Sequence, residues 1–258
     1  MNTVSTGSYA KVNGINLYYE IHGKGEPLIL LHGGLGAIEM FGENLAALVA
    51  GRQVIAVDLQ AHGRTADIDR PITFEAMADD VAALIEHLGF KQVDLMGYSL
   101  GGQTAQQVII RHPELIRKLV LVSCPFKKSG WNRENLEGMQ QMGPAAAEPM
   151  KQTPMYQLYA QIAPRIEDWP VLLTKLGNLA RTDYDWSKDI PSIKSPTLLV
   201  AGDADATLPW HMVEFFELLG GGLRDGGDGD PVFGWGGLNP GRFVGAQPAA
   251  PDAPPTPL

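Results

Sequence analysis

Residues 92–113 read Gln92-Val93-Asp94-Leu95-Met96-Gly97-Tyr98-Ser99-Leu100-Gly101-Gly102-Gln103-Thr104-Ala105-Gln106-Gln107-Val108-Ile109-Ile110-Arg111-His112-Pro113. The run to Met96 predicts a buried strand, and the run after Gly102 predicts a helix that must stop at His112-Pro113, since the residue before a proline is driven out of the helical region. Between them the spacing Gly97-x-Ser99-x-Gly101 forces a sharp strand-to-helix corner. A Cβ at either glycine would collide with the neighbouring strand or helix. The corner pushes the Ser99 hydroxyl out above the sheet edge. It also sets it at a helix N-terminus, where unpaired N–H groups and the positive dipole end favour a developing oxyanion. Ser99 is the candidate nucleophile.

Two further stretches carry the same signature. Pro27-Leu28-Ile29-Leu30-Leu31 is a continuous apolar run, as a strand covered on both faces should be, and it ends in His32-Gly33-Gly34-Leu35-Gly36. Thr197-Leu198-Leu199-Val200-Ala201-Gly202-Asp203-Ala204-Asp205 delivers two carboxylates to the C-terminal end of a strand, where open α/β sheets build their sites. Read structurally, the first loop is a glycine-rich turn and either aspartate is a cap for the helix that starts near Pro209.

With these three stretches the chain resembles the α/β-hydrolase superfamily in its compact esterase and lactonase-like branch, from about residue 9 to residue 219. The resemblance implies that the N–H groups of Gly34 and Leu100 form the oxyanion hole. It also implies that Asp205 is the triad acid, with Asp203 as runner-up. The family's base is a histidine on a loop after one more strand, and no histidine follows His211. His62, in Asp58-Leu59-Gln60-Ala61-His62-Gly63-Arg64-Thr65, is the best substitute base, because this turn lies on the same sheet edge as Ser99. The family's turn usually has glycine at the position of Ala61. His32 belongs to the oxyanion loop and is expected to orient it by hydrogen bonding, and His211 sits in the first turn of a helix only six residues after Asp205. His22, His87 and His112 read as surface residues at strand and helix ends.

The alternation of apolar runs predicts a mostly parallel central sheet flanked by helices, with strands at 9–12, 15–21, 27–31, 53–58, 118–122 and 197–201. A helix is expected over 73–88, where Phe74, Met77, Val81, Leu84, Ile85 and Leu88 recur at helical spacing. Residues 1–124 and 192–219 form the expected α/β-hydrolase core. Residues 125–191 form an inserted helical cap rich in methionine and aromatics (Trp131, Met139, Met142, Met150, Met155, Tyr156, Tyr159, Trp169), which suggests a hydrophobic acyl pocket. From Gly220 to Leu258 close to half of the residues are glycine or proline. This composition predicts a disordered tail, with the family's final strand and helix missing and the strand at 197–201 left as a bare edge. The abrupt change after the helix ending at Leu219 suggests a replaced C-terminus, as when a GC-rich gene is read out of frame.

A formal charge of −9 leaves no basic surface for nucleic acid or anionic membranes, and no apolar run approaches a membrane span or signal core, so the cytoplasm is expected. The lone cysteine, Cys124, excludes an internal disulfide and reads as a buried small residue. Metal-ligand spacing and phosphate-cradling motifs are absent, so neither metal nor cofactor is expected. The implied function is hydrolysis of small hydrophobic carboxylic esters or lactones through an acyl-enzyme, impaired here for want of a base. The alternatives are a catalytically silent ligand-binding protein of the same fold and a cofactor-free perhydrolase. Oligomeric state is not legible.

Overall fold

The computed structural model describes residues 7–220 and the backbone of one further strand, 241–245. Strands β1 (Ser8–Val12), β2 (Ile15–Gly23), β3 (Glu26–Leu31), β4 (Arg52–Asp58), β5 (Val93–Tyr98), β6 (Ile116–Val122), β7 (Thr197–Ala201) and β8 (Gly241–Gly245) form one sheet in the order β1-β2-β4-β3-β5-β6-β7-β8. β1, β2 and β4 pair antiparallel, and every pair from β4 across to β8 is parallel. The α/β architecture with a mostly parallel sheet is therefore as the sequence predicts.

β3 lies at the centre, between β4 and β5, which explains its unbroken apolar run. Successive side chains of a strand face opposite ways. Ile29 and Leu31 enter the large core beneath helices α2 (Phe74–His87) and α3 (Leu100–Arg111). Leu28 and Leu30 enter the smaller core under α1 (Gly42–Val49), with Tyr18, Ile38 and Phe41. α2 starts where Thr73 Oγ1 accepts the Ala76 N–H at 3.0 Å, and it buries Phe74, Met77, Val81, Leu84 and Ile85 against the sheet.

Between β6 and β7 the chain forms α4 (Arg133–Gln140), α5 (Pro154–Ile162) and α6 (Trp169–Arg181), linked by short 3-10 turns. Its methionines and aromatics divide by role. Trp131, Met139 and Met142 line a cavity beside Ser99. Trp169 and Tyr159 are buried in the main core, and Met155 is exposed.

One expectation is corrected. β7 is not a bare edge, because β8 pairs with it in parallel register from Thr197↔Gly241 to Ala201↔Gly245. A strand needs only backbone N–H and C=O groups in register, and the short run Arg242-Phe243-Val244 between two glycines provides them despite the composition around it. The expected disorder of the tail and the expected missing helix concern residues outside those described.

Candidate active site

α3 begins at the corner that the sequence predicts. Ser99 is its N-terminal flanking residue, with φ +51° and ψ −116°, a conformation that non-glycine residues rarely adopt. Two bonds hold it there. The Ser99 N–H donates to Val122 O at 2.9 Å, and Ser99 O accepts the Gln103 N–H at 3.0 Å. The glycines are required by space. A Cβ on Gly97 would sit 2.6 Å from Gly102 N, and one on Gly101 would sit 2.6 Å from His32 O and closer still to Leu31 O. One on Gly102 would lie 2.8 Å from Cys124 Cβ, so α3 rests directly on the strand ends.

Ser99 opens onto two spaces. One is a cavity of about 190 Å³ whose wall includes Gly34, Leu35, Phe74, Leu100, Leu136, Met139, Met142, Leu176 and Leu179. Gly34 and Leu100 are thus brought together beside Ser99. The other is an open cleft of about 430 Å³ lined by Tyr98, Ser99, Ser123, Trp131 and residues 202–206. Asp203 and Asp205 both stand in that cleft, but only Asp205 is fixed. Its Oδ2 accepts the Ser123 hydroxyl at 2.6 Å and the Gly202 N–H at 3.1 Å, and its Oδ1 accepts the Thr207 N–H at 2.8 Å. Neither aspartate caps α7 (Pro209–Leu218), whose N-terminal flanking residue is Leu208 with no side-chain cap.

The histidines are accounted for singly. His32 is fully buried; its Nδ1–H donates to Gly33 O at 2.7 Å and its Nε2 accepts the Leu59 N–H at 3.1 Å, so it ties the loop after β3 to the turn after β4. Burial lowers its ring to about 4, which keeps it neutral. His62 packs tilted against it with ring centroids 5.1 Å apart, donates from Nδ1 to Gln60 O at 2.8 Å, and is lowered by burial, with His32 adding to the effect, to about 3. His62 Nε2 has no hydrogen-bond partner, and His62 lines neither space that Ser99 lines. The turn that carries it keeps its left-handed step with Ala61 at φ +63°. His211 stacks on Phe126 and accepts the Phe126 N–H at Nε2, 3.1 Å. His22 bonds Glu20, His112 bonds Asp79, and His87 lies exposed at the C-terminal end of α2. Among the described residues no histidine nitrogen is hydrogen-bonded to Ser99.

Three residues of the site escape a reading of the sequence. Ser123 turns into the cleft at φ +53°, whereas its neighbour Cys124 turns away to lie 1% exposed against α3, its thiol pushed up to about 12 by burial. The signal available was the position of Ser123 at the C-terminal end of β6. Gln103 and Tyr184 meet across the cavity wall from positions 81 residues apart, which no local pattern shows.

A strained serine at the N-terminus of a helix, two backbone N–H positions beside it and an anchored aspartate across a cleft define a hydrolase of the α/β class. Residues 26–162 match the model of the alpha/beta hydrolase fold family, and the chain belongs to that family. It is similar to the serine hydrolase BPHL of Mus musculus, 29% identical with 83% of this chain and 75% of the relative covered. It is similar also to the AB hydrolase superfamily protein YisY of Bacillus subtilis, 29% identical with 81% and 85% covered. Among solved structures, the enol-lactonase from Burkholderia xenovorans LB400 superposes with a TM-score of 0.67 at 21% identity, covering 92% of this chain and 90% of that one. That last likeness is one of fold. Among the described residues no helix is long and apolar enough to cross a membrane.

Proposed function

We propose that the chain hydrolyses small carboxylic esters or lactones through an acyl-enzyme on Ser99. The observation that carries this reading is the placement of Ser99, held at φ +51° where an apolar cavity and the cleft of Asp205 meet. The acyl group would enter the cavity, the carbonyl oxygen would take up the N–H groups of Gly34 and Leu100, and Asp205 would orient a base in the cleft. Residues 125–191 act as the lid over a core formed by 1–124 and 192–219. Names of relatives support the chemistry: BPHL is called a serine hydrolase, and a structural neighbour is called an enol-lactonase.

The weak point of the machinery is the base. His62 keeps a free Nε2 but lines neither space that Ser99 lines, so its ring would have to move to serve Ser99, and the reading includes impaired turnover. Hydrolysis of p-nitrophenyl butyrate by the full chain and by Ser99→Ala tests it: release above the uncatalysed rate should fall to background in the variant. Equal rates in the two would refute the assignment. A second reading, a ligand-binding protein of the same fold without turnover, is favoured by the lack of any described histidine nitrogen on Ser99. Cavity binding without Ser99-dependent release would select it.

A further inference from the structure

Away from Ser99 and the neighbouring Gly34 and Leu100 backbone, the cavity wall is apolar except at one point, where Gln103 from α3, Trp131 ahead of α4 and Tyr184 beyond α6 converge. Tyr184 Oη accepts from Gln103 Nε2 at 2.5 Å and from Trp131 Nε1 at 2.9 Å. A phenol oxygen has two accepting sites, so both are taken and the O–H is left to donate. Burial raises the phenol well above its ordinary range, so that proton stays in place at any working pH. Turning the Gln103 amide over exchanges the roles without changing the balance: Oε1 then accepts the phenolic O–H, and the two amide N–H groups become the donors left over. Tyr184 is held in position by edge contact with Phe74 at 5.3 Å and by Trp186 at 4.8 Å between ring centroids. In the first arrangement the phenol O–H and the second amide N–H, and in the other both amide N–H groups, have no acceptor among the described residues.

We propose that this trio recognises an uncharged hydrogen-bond acceptor, an oxo or ether oxygen, carried on the acyl group of the substrate. The word acyl rests on the ester-hydrolase reading; the acceptor does not. A plain hydrocarbon chain would fill the cavity and leave the donor dry, a cost that an oxygen on the chain removes. A carboxylate is excluded by the wall, which has no lysine or arginine to pair with it.

The test is equilibrium binding to the full chain carrying Ser99→Ala, read by tryptophan fluorescence. The probes are matched methyl esters: 3-oxobutanoate against 3-methylbutanoate, 4-oxopentanoate against 4-methylpentanoate, and 5-oxohexanoate against 5-methylhexanoate. A purely apolar cavity binds the methyl member more tightly in every pair, because the ketone must shed water. The trio should make the oxo member at least as tight in one pair. Gln103→Glu, which accepts the phenolic proton at almost unchanged volume, should shift that pair about ten-fold towards the methyl member, the size of one net hydrogen bond. The double variant Tyr184→Phe/Gln103→Leu should do the same. Tighter binding of the methyl member in all three pairs overturns the proposal, and it does so on the Ser99→Ala chain alone even where neither variant folds. An unchanged ratio in variants that fold overturns it too. Hydrolysis of p-nitrophenyl esters by the Ser99 chain is scored separately, so an oxo preference without turnover would sink the ester-hydrolase reading and leave this site standing.

Discussion

Adding one methyl group at Gly101 should unfold this protein several degrees earlier, whereas the same addition at Gly138 should not. Gly101 lies in the first turn of α3, and a Cβ there would sit 2.6 Å from His32 O, with Leu31 O nearer still. Ordinary contact begins at 3.4 Å, so the helix must retreat by most of an ångström. The obstruction is backbone, and it cannot rotate aside. Leu31 is in register with Val57 on one side and Gly97 on the other, so any retreat stretches the sheet at its centre or lifts α3 from it. Overpacking of this kind costs about 1–3 kcal/mol where side chains can relax, and the rigid neighbours place Gly101→Ala at about 3 kcal/mol. For a chain of this size that lowers Tm by roughly 6–12 °C. Gly138 is exposed in α4, its φ is not positive, and a Cβ there meets nothing within 4 Å. Gly138→Ala should therefore raise stability by up to about 1 kcal/mol through helix propensity. Thermal unfolding followed by circular dichroism measures both. A Gly101→Ala chain melting within about 2 °C of the parent would refute the claim that the corner is packed backbone to backbone.

Other outcomes follow from the same structure. Asp205→Asn should destabilise by about 1–3 kcal/mol and Asp203→Asn by nearly nothing, because an amide at 205 turns an NH2 towards donors that need an acceptor, while Asp203 is exposed. Whatever ester hydrolysis the chain has should follow the same order, and equal losses in activity and melting would mean that the register of the two aspartates is misread. Stability should fall as pH drops from 6.5, the ordinary value of histidine, towards 4, because burial lowers His32 and His211 to about 4 and His62 to about 3 while the unfolded chain takes up protons first. At pH 5 each of these histidines removes about 2 kcal/mol. Asp58 works in the opposite direction: burial raises its carboxyl to about 6, so the folded state takes up its proton first as pH falls and gains stability between 6 and the ordinary 3.8. The net loss between pH 7 and pH 5 is roughly 4–5 kcal/mol, measurable by urea denaturation at the two pH values. A flat or rising profile would contradict the neutral burial of the three rings.

The sequence exposes what local chemistry dictates. Ser99 was legible because the tight turn imposes its own glycine spacing, Gly97 against Gly101 and Gly102 within the corner and Gly101 against the end of β3, and β3 because a strand covered on both faces has no polar position to spare. His32 was legible for the same reason, as part of the loop it orients. What escaped depends on chain remote in sequence. Ser123 meets Asp205 from 82 residues away, and the choice between Ser123 and Cys124 for the cleft turns on one left-handed backbone step. The division of the methionines and aromatics into cavity wall, core and surface depends on how α4–α6 settle over the sheet, which spacing within each helix does not fix. β8 escaped because its contribution is backbone pairing to β7, and average tail composition obscures three strand-forming residues between glycines.

The central claim is that Ser99 is the nucleophile, and covalent labelling reads it without requiring turnover. The full chain treated with an alkyl fluorophosphonate should gain the mass of one phosphonyl group. Peptide mapping should place it on the fragment containing Ser99, and the Ser99→Ala chain should gain none. A phosphonyl group on another residue, or equal labelling of the Ser99→Ala chain, would contradict the account.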